Sequence, residues 1–336
     1  MSDSKNIYMF EVVNLSPLVI NRGSGNYLKT TDYIPASSIL GAFLSTKIPS
    51  DLFNKEKYKI EAGLSVTDAT PVDKMTNELN PPSLVTLSTK YINGSEKIVD
   101  ATKLVVEYAT GKKPIGYENI RLKKGPRFWK IEDNKIEKVS GTDIIQQTVL
   151  TLDDKTLTIY TKEENGEKVG FLAHVQAIAP GCHFAFEVVG EQLVVEEFAG
   201  VLKEGLYVGA LRSKGYGLIK LVDFKEKKVV QRAPLKLEGD PNEYYVLSVY
   251  GNLDYAYLLE LRKKLKQYKE VYASIGFQEI KRWDYNVFKK RWVVKSGSVL
   301  IYANAEKDIY DLEHDSLINA KGGKIIVNHP VITINE

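Results

Sequence analysis

Gly209–Gly217, GALRSKGYG, sets three glycines and two cations between a stretch of helical period and a stretch of strand period. Upstream, Gln192 to Glu204 (QLVVEEFAGVLKE) repeats its apolar residues at helical spacing, and downstream Tyr216 to Phe224 (YGLIKLVDF) alternates like a strand. Glycines at 209, 215 and 217 permit positive φ and let the backbone come close to a ligand. Arg212 and Lys214 supply charge for phosphates, chemistry that suits an RNA backbone. The stretch is not a Walker loop, because no Gly-Lys-Ser/Thr triplet follows at the required spacing and it precedes a strand instead of opening a helix. Taken alone it is also what an ordinary glycine turn looks like.

Working outward, Ile7 to Ile20 alternates as a strand interrupted at Pro17. The glycine-containing NRGSGNYLKTTDY leads into IPASSILGAFLSTKI, where Ser37 or Ser38 is placed to cap a helix with Ile39, Leu40, Phe43 and Leu44 on one face. From 49 to about 170 prolines punctuate short segments of mixed character, which reads as a long insertion. Order returns in GFLAHVQAIAPGCHFAFEVVG, two alternating runs joined at Pro180 and Gly181, a hairpin signal. The succession β, α, insertion, β, β, α, β is the ferredoxin-like arrangement.

A charged linker, Lys225 to Asn242, separates a second module that opens with a strand from Tyr244 to Tyr250. A helix follows from about Asp254 to Tyr268 on a Leu258, Leu261, Leu265 stripe, then strands at Tyr285 to Lys295 and Ser298 to Ala303. The expected fold is α+β: tandem ferredoxin-like (RRM-like) modules, residues 1–225 with an insertion at about 49–170, and a reduced second copy at 243–336.

At 336 residues the chain is long enough for two cores. Its single cysteine, Cys182, excludes an internal disulfide, and with only His183 beside it there is no second pair for a zinc site. No apolar stretch has signal-peptide or membrane-span length, so a cytoplasmic protein without membrane contact is expected. No cofactor or metal is implied by any motif. A net charge of +3 says little, but its distribution says more. Lys112 to Lys138 holds nine Lys or Arg against four acids, and Arg262 to Lys295 eleven against three, which leaves the remainder net acidic. The second stretch interleaves its cations with Tyr268, Tyr272, Phe277, Trp283, Tyr285, Phe288 and Trp292, a composition suited to stacking unpaired bases beside neutralised phosphates. KRWDYNVFKKRW, Lys281 to Trp292, is its densest part, and Lys281, Arg282, Trp283, Lys289, Lys290 and Arg291 are its candidate contacts. The same aromatics also suit a core beneath a solvated lysine face. Around Arg121, Lys123, Lys124, Arg127, Phe128 and Trp129 the first stretch repeats the pattern more weakly.

GALRSKGYG resembles the C-terminal glycine-rich loop of the RAMP superfamily, the ferredoxin-like RNA-binding proteins of CRISPR systems. Gly209, Arg212, Gly215 and Gly217 stand where that loop has its glycines and arginine, with Ser213, Lys214 and Tyr216 between them. DYIPASSILGAFL, Asp32 to Leu44, is similar to the segment that starts the first helix in several RAMP families, above all the Cas-five-like handle-capping subunit called Csx-ten in subtype III-D. Here Ala36 replaces the usual Gly and Leu40 a usual basic residue, so a phosphate at this helix start would rest on backbone N–H groups and on Ser37 or Ser38. KSGSVLIY, Lys295 to Tyr302, is a third, weaker echo. The resemblance implies a non-catalytic subunit of a type III CRISPR effector complex. Such a subunit grips the 5′ repeat-derived handle of the CRISPR RNA and contacts backbone RAMP subunits and the large polymerase-cyclase subunit.

Two catalytic readings stay open beside it. Backbone RAMP subunits cut target RNA with an aspartate in the loop after the first strand, where Asp32 lies, although handle-capping members carry an aspartate there too. Other RAMP proteins process CRISPR RNA with a histidine, tyrosine or lysine, which directs attention to His174 with Tyr27 or Lys29. The four histidines show no metal-like spacing.

Overall fold

The computed structural model describes residues 6–20, 27–47, 64–73, 80, 87–92, 95–112, 122–124, 127–132, 135–150, 161–164, 167–170, 172–227, 231–284, 287–320 and 322–329. The chain begins β1 (Asn6–Asn14), β2 (Tyr27–Leu28), α1 (Ala36–Lys47), β3 (Leu64–Val66), β4 (Thr70–Val72), β5 (Leu87–Ile92), β6 (Ser95–Asp100), α2 (Thr102–Ala109), β7 (Leu122–Lys124), β8 (Trp129–Glu132) and β9 (Lys135–Lys138). Next come β10 (Ile144–Leu150), β11 (Thr161–Glu164), β12 (Glu167–Gly170), β13 (Leu172–Ile178), β14 (His183–Gly190), α3 (Gln192–Glu204), β15 (Leu206–Tyr207) and β16 (Leu218–Glu226). The second half holds β17 (Leu235–Lys236), β18 (Glu243–Tyr250), β19 (Leu253–Asp254), α4 (Tyr255–Lys264), β20 (Lys269–Ser274), β21 (Phe277–Asp284), β22 (Val287–Val294), β23 (Val299–Ala303), α5 (Asp311–Asn319) and β24 (Lys324–Val327).

The fold is mixed α and β, and among the described strands every pairing is antiparallel except β13 with β2. The first sheet runs β15-β16-β1-β14, with β3 and β4 both on the outer edge of β14. Leu64–Val72, inside the stretch read as insertion, therefore belongs to this sheet. Period-2 alternation in β1 and β14 divides the side chains between two faces. Phe10, Phe184 and Phe186 point to the helices, where Phe43 of α1 meets Phe198 of α3 edge-on at 4.9 Å. Met9 and Ala185 point the other way and pack against Tyr250 and Ile326 of the second half.

The Pro180–Gly181 turn is not a hairpin. β13, which leads into the turn, pairs with β10 and β2, while β14, which leaves it, pairs with β1. Asn14, fully buried, makes the corner: its amide donates to Ala179 O (2.9 Å) and Ser16 O (3.0 Å), and its Oδ1 accepts from Cys182 N (2.9 Å). The dipeptide fixes a turn, but which strand each arm joins is decided by these distant partners.

The second half is fuller than its sequence suggested. β18, β20, β23 and β24 form a sheet in the order β20-β23-β18-β24, with β17 also on the β24 side of β18. β20 and β21 occupy a stretch left unread above, because KEVYAS and FQEIKRWD mix charge with apolar residues and lack clean alternation. Asp254 caps α4 by accepting from Ala256 N at 3.0 Å, and Leu258, Leu261 and Leu265 are buried as their spacing predicted. Helices α4 and α5 cover one face of this sheet. Val106 of α2, sent across from the first half, packs on the other against Tyr244, Val246 and Ile301.

The halves are locked by polar contacts as well. Glu187 on β14, fully buried, lies 2.7 Å from both Lys227 and Lys324, and Lys324 is itself buried. Burial pushes the Glu187 carboxyl up, but the two lysines outweigh it and hold it near 2. Asp68, just after β3, accepts from Ala36 N (2.8 Å) and from Asn252 N (3.1 Å) of the second half. Burial raises its carboxyl to about 7, only partly offset by those two N–H groups and Arg127. No helix among the described residues is long and apolar enough to cross a membrane.

Candidate nucleic-acid interface

Loop 208–217 enters from β15 and leaves into β16, and its glycines do different things. A Cβ on Gly209 would sit 2.4 Å from Val19 O, and one on Gly217 would sit 2.0 Å from Val208 O. Both have positive φ, +80° and +87°. Around them Ala210 N donates to Val19 O (2.8 Å), Val208 N to Gly217 O (2.9 Å) and Gly217 N to Pro17 O (2.9 Å). These two glycines therefore bring backbone against backbone inside the protein, and neither is turned to a ligand. Gly215, φ +81°, has nothing within 4 Å of its would-be Cβ and is the exposed member of the three.

Between them Arg212–Lys214 make one 3-10 turn, closed by Lys214 N to Leu211 O (2.9 Å) and Gly215 N to Arg212 O (3.0 Å). Leu211, left-handed at φ 60°, and Tyr216 turn inward onto Val19, Val175, Ala177 and Ile145, and the Tyr216 hydroxyl donates to Gln147. The tip that remains is Arg212, Ser213, Lys214 and Gly215, all exposed. Among the described residues neither Arg212 nor Lys214 forms an ion pair, so both charges face solvent. A rigid base beneath two unengaged cations suits an anion that arrives from outside.

At the start of α1 the first helical N–H is already taken by a side chain of the protein. The expectation that Ser37 or Ser38 caps the helix is corrected: the helix begins at Ala36, whose N–H is taken by the Asp68 carboxylate, and Ser38 N donates to Pro35 O at 2.9 Å. Ala36 and Asp68 are buried beneath Gly322 of the second half. Where a phosphate was expected to meet free N–H groups there is a carboxyl, and Ser37 and Ser38 lie within the first turn, exposed and half-buried.

Asp32 is engaged as well. Both carboxylate oxygens lie 2.5 Å from Arg127 Nη1, and the guanidinium lies over Tyr33 (5.5 Å) and Phe128 (5.2 Å). The first basic stretch thus turns partly inward: Phe128 and Trp129 are buried, and Trp129 meets His329 edge-on at 5.0 Å. Arg121 lies outside the described residues. His183 pairs with buried Glu11 at 2.6 Å, whereas exposed His174 stands opposite Tyr27 in the β13–β2 register, an adjacency spacing did not reveal. Among the described residues no group of His, Cys, Asp or Glu could hold a metal ion.

The densest part of the second basic stretch lies on the ribbon β21–β22, whose register sets Lys281 opposite Lys290, Arg282 opposite Lys289 and Trp283 opposite Phe288. β19 pairs with its root, at Val293 and Val294. Lys290 is exposed and pairs with Glu279 at 3.1 Å, and Arg291 is half-buried. Trp292, one of the aromatics interleaved with these cations, is 61% exposed.

No curated protein sequence matches the chain. Solved structures to which it is similar include a chain of a type III-B Cmr-beta complex bound to cognate target RNA and AMPPnP, with 11% identity, 94% of each chain covered and a TM-score of 0.41. They also include Cmr4, with 14% identity over 66% of this chain and 100% of that one at a TM-score of 0.25. Oligomeric Cmr4 from Pyrococcus furiosus gives 13% over 66% and 99%, at 0.28. The family model of the RAMP superfamily matches residues 12–220, from within β1 to within β16 and including the whole glycine loop, and the chain therefore belongs to the RAMP superfamily.

Proposed function

We propose that this RAMP protein is a non-catalytic RNA-binding subunit of a type III CRISPR-Cas effector complex in the cytoplasm. It holds the 5′ repeat-derived handle of the CRISPR RNA and contacts backbone RAMP subunits and the large polymerase-cyclase subunit. The observation that carries this reading is the exposed Arg212-Ser213-Lys214-Gly215 tip on a base fixed by Gly209 and Gly217. In both halves the strand order is last, first, third, second, which supports two ferredoxin-like modules in tandem, the second with all its elements. An RRM-type mode, with RNA laid on the open sheet face, finds no support, since that face of the first sheet carries Tyr250 and Ile326, and that of the second carries α2. The loop and the ribbon remain as RNA contacts. Subtype III-D is the finer reading, on the strength of DYIPASSILGAFL.

The test is binding of handle-bearing CRISPR RNA by the purified chain, with and without Arg212→Ala/Lys214→Ala. Tight binding of uncut RNA, weakened in the double variant with a shallower salt dependence, is expected. Equal binding by parent and variant overturns the role of the loop. A second reading, cleavage of repeat RNA, draws on the Tyr27–His174 adjacency, and products that vanish in His174→Ala favour it. The target-cutting reading is disfavoured by the engagement of Asp32 with Arg127, and loss of target cleavage by the assembled complex in Asp32→Ala restores it.

A further inference from the structure

Four large apolar side chains break the surface at one place, the root of the β21–β22 ribbon. Trp292 is 61% exposed, Phe277 48%, Leu259 44% and Tyr255 40%. They belong together. β21–β22 pairing sets Phe277 opposite Val294 and Glu279 opposite Trp292, so Phe277 and Trp292 are diagonal neighbours on one ribbon face, roughly 7–8 Å apart. Tyr255, at the start of α4, meets Phe277 edge-on, with ring centroids 5.6 Å apart at 79°. Leu259 is one helical turn further along α4.

The patch stands on a fixed base. Val293 and Val294 are buried, β19 pairs with them, Lys295 N donates to Gly276 O (2.8 Å) and Gly276 N to Ser298 Oγ (3.0 Å). Aromatic rings kept in water at such a rigid place are not needed by the core, since Leu258, Leu261 and Val294 already close it. Their chemistry points to flat apolar partners. From Phe277 to Lys295 six Lys or Arg stand against two acids, so the partner's charge is negative. Two residues from Trp292 along β22, exposed Lys290 pairs with Glu279 on the facing strand, an exposed ion pair that a phosphate can displace at small cost.

We propose that Tyr255, Phe277 and Trp292 form a stacking platform for unpaired bases of single-stranded RNA, with Lys290 beside them on the phosphates. This is a second RNA contact, separate from the glycine loop, and it rests on the proposed RNA-binding role. A protein partner of acidic charge is the competing occupant. The prevalence of rings over aliphatics, with Leu259 the one aliphatic member, favours bases.

The experiment compares a labelled single-stranded handle RNA with an abasic strand of equal length, using the full chain across a salt series. Trp292→Ala is expected to weaken binding of the base-bearing RNA about tenfold without changing the salt slope, because stacking releases no counterions. The same variant leaves the abasic strand unaffected, and Trp292→Phe keeps most of the affinity. Lys290→Ala instead flattens the salt slope by about one. Parent-like RNA binding by both Trp292→Ala and Phe277→Ala, while Arg212→Ala weakens it, overturns the platform and leaves the loop standing. Failure of the parent chain to bind any RNA overturns both. Loss of a protein subunit from complexes of Trp292→Ala, with RNA affinity intact, assigns the patch to a protein and overturns the platform.

Discussion

Gly209–Gly217 precedes β16, the strand that flanks β1 in the first sheet, and Gly322–Lys324 leads into β24, the strand that flanks β18 in the second. Both turns carry glycine at positive φ and both bring cations. In the first, Arg212 and Lys214 stand in water. In the second, a Cβ on Gly322 would lie 3.1 Å from Ala36 Cβ and one on Gly323 would lie 2.7 Å from Leu253 Cα, while Lys324 is buried against Glu187. Each sheet thus has a glycine turn at the same point of its strand order, but the second is consumed in joining the two halves of the chain. Whether such a turn is available to a ligand follows from what packs over it, and the glycines alone do not decide.

That comparison can be broken most sharply at Glu187. Replacing it by Gln leaves Lys324 buried without its counter-ion, and chemical denaturation should show a loss of about 3–5 kcal/mol. No comparable loss is expected from Arg212→Ala or Lys214→Ala, which should stay within about 0.5 kcal/mol in the same denaturation series. If Glu187→Gln is neutral, the second turn is not held by its charge pair.

Glycine substitutions sharpen the picture within the first loop. Gly217→Ala meets Val208 O and a left-handed φ together, and a loss of about 3 kcal/mol is expected. Gly215→Ala has the same φ problem in open space, and about 1 kcal/mol is expected by thermal melting. Equal losses at both positions would mean that Gly215, too, is required by the interior.

The junction beside the second turn should titrate. Asp68 keeps its proton in the folded chain up to about pH 7, whereas an unfolded Asp ionises near 3.8. Folded chains therefore bind the extra proton between those values, and stability falls as pH rises through that window, then levels off. Between pH 5 and 7 the fall should be about 2 kcal/mol. Glu187 does not blur this, because its stabilisation is complete above the ordinary Glu range and is lost only as pH falls toward about 2. Urea midpoints measured from pH 5 to 8 check it, and Asp68→Asn should flatten the curve.

Much of this was legible in the chain. Gln192–Glu204 emerges as α3 at the expected boundaries, and β18 begins within one residue of its reading, because strong apolar periodicity survives any tertiary context. The tip Arg212–Gly215 was legible from composition. Illegible were partners remote in sequence. Asp68, 32 residues on from Ala36, caps α1 in place of the serines, and Asn14 diverts β13 from β14 across more than 160 residues. Arg127 finds Asp32 across 95 residues. No local pattern announces such a pair, since a carboxylate, an amide or a guanidinium reads the same whether it is buried or solvated. That Trp292 stands exposed among the interleaved aromatics was illegible for a related reason, since periodicity says which residues share a face and not which face is left uncovered.

By itself, then, the sequence determined the periods of the elements, the turn positions and the cation-bearing glycine loop whose motif marks the family. These follow from local sterics and from the two- and 3.6-residue repeats, which need no neighbour. Tertiary structure alone decided which glycines serve backbone contact and which one stays open, which helix start is sealed, and which of two equivalent turns keeps its cations in water. Burial is a property of the whole packing, and it converts the same residue types into a lock at Lys324 and a pair of solvent-exposed cations at Arg212 and Lys214.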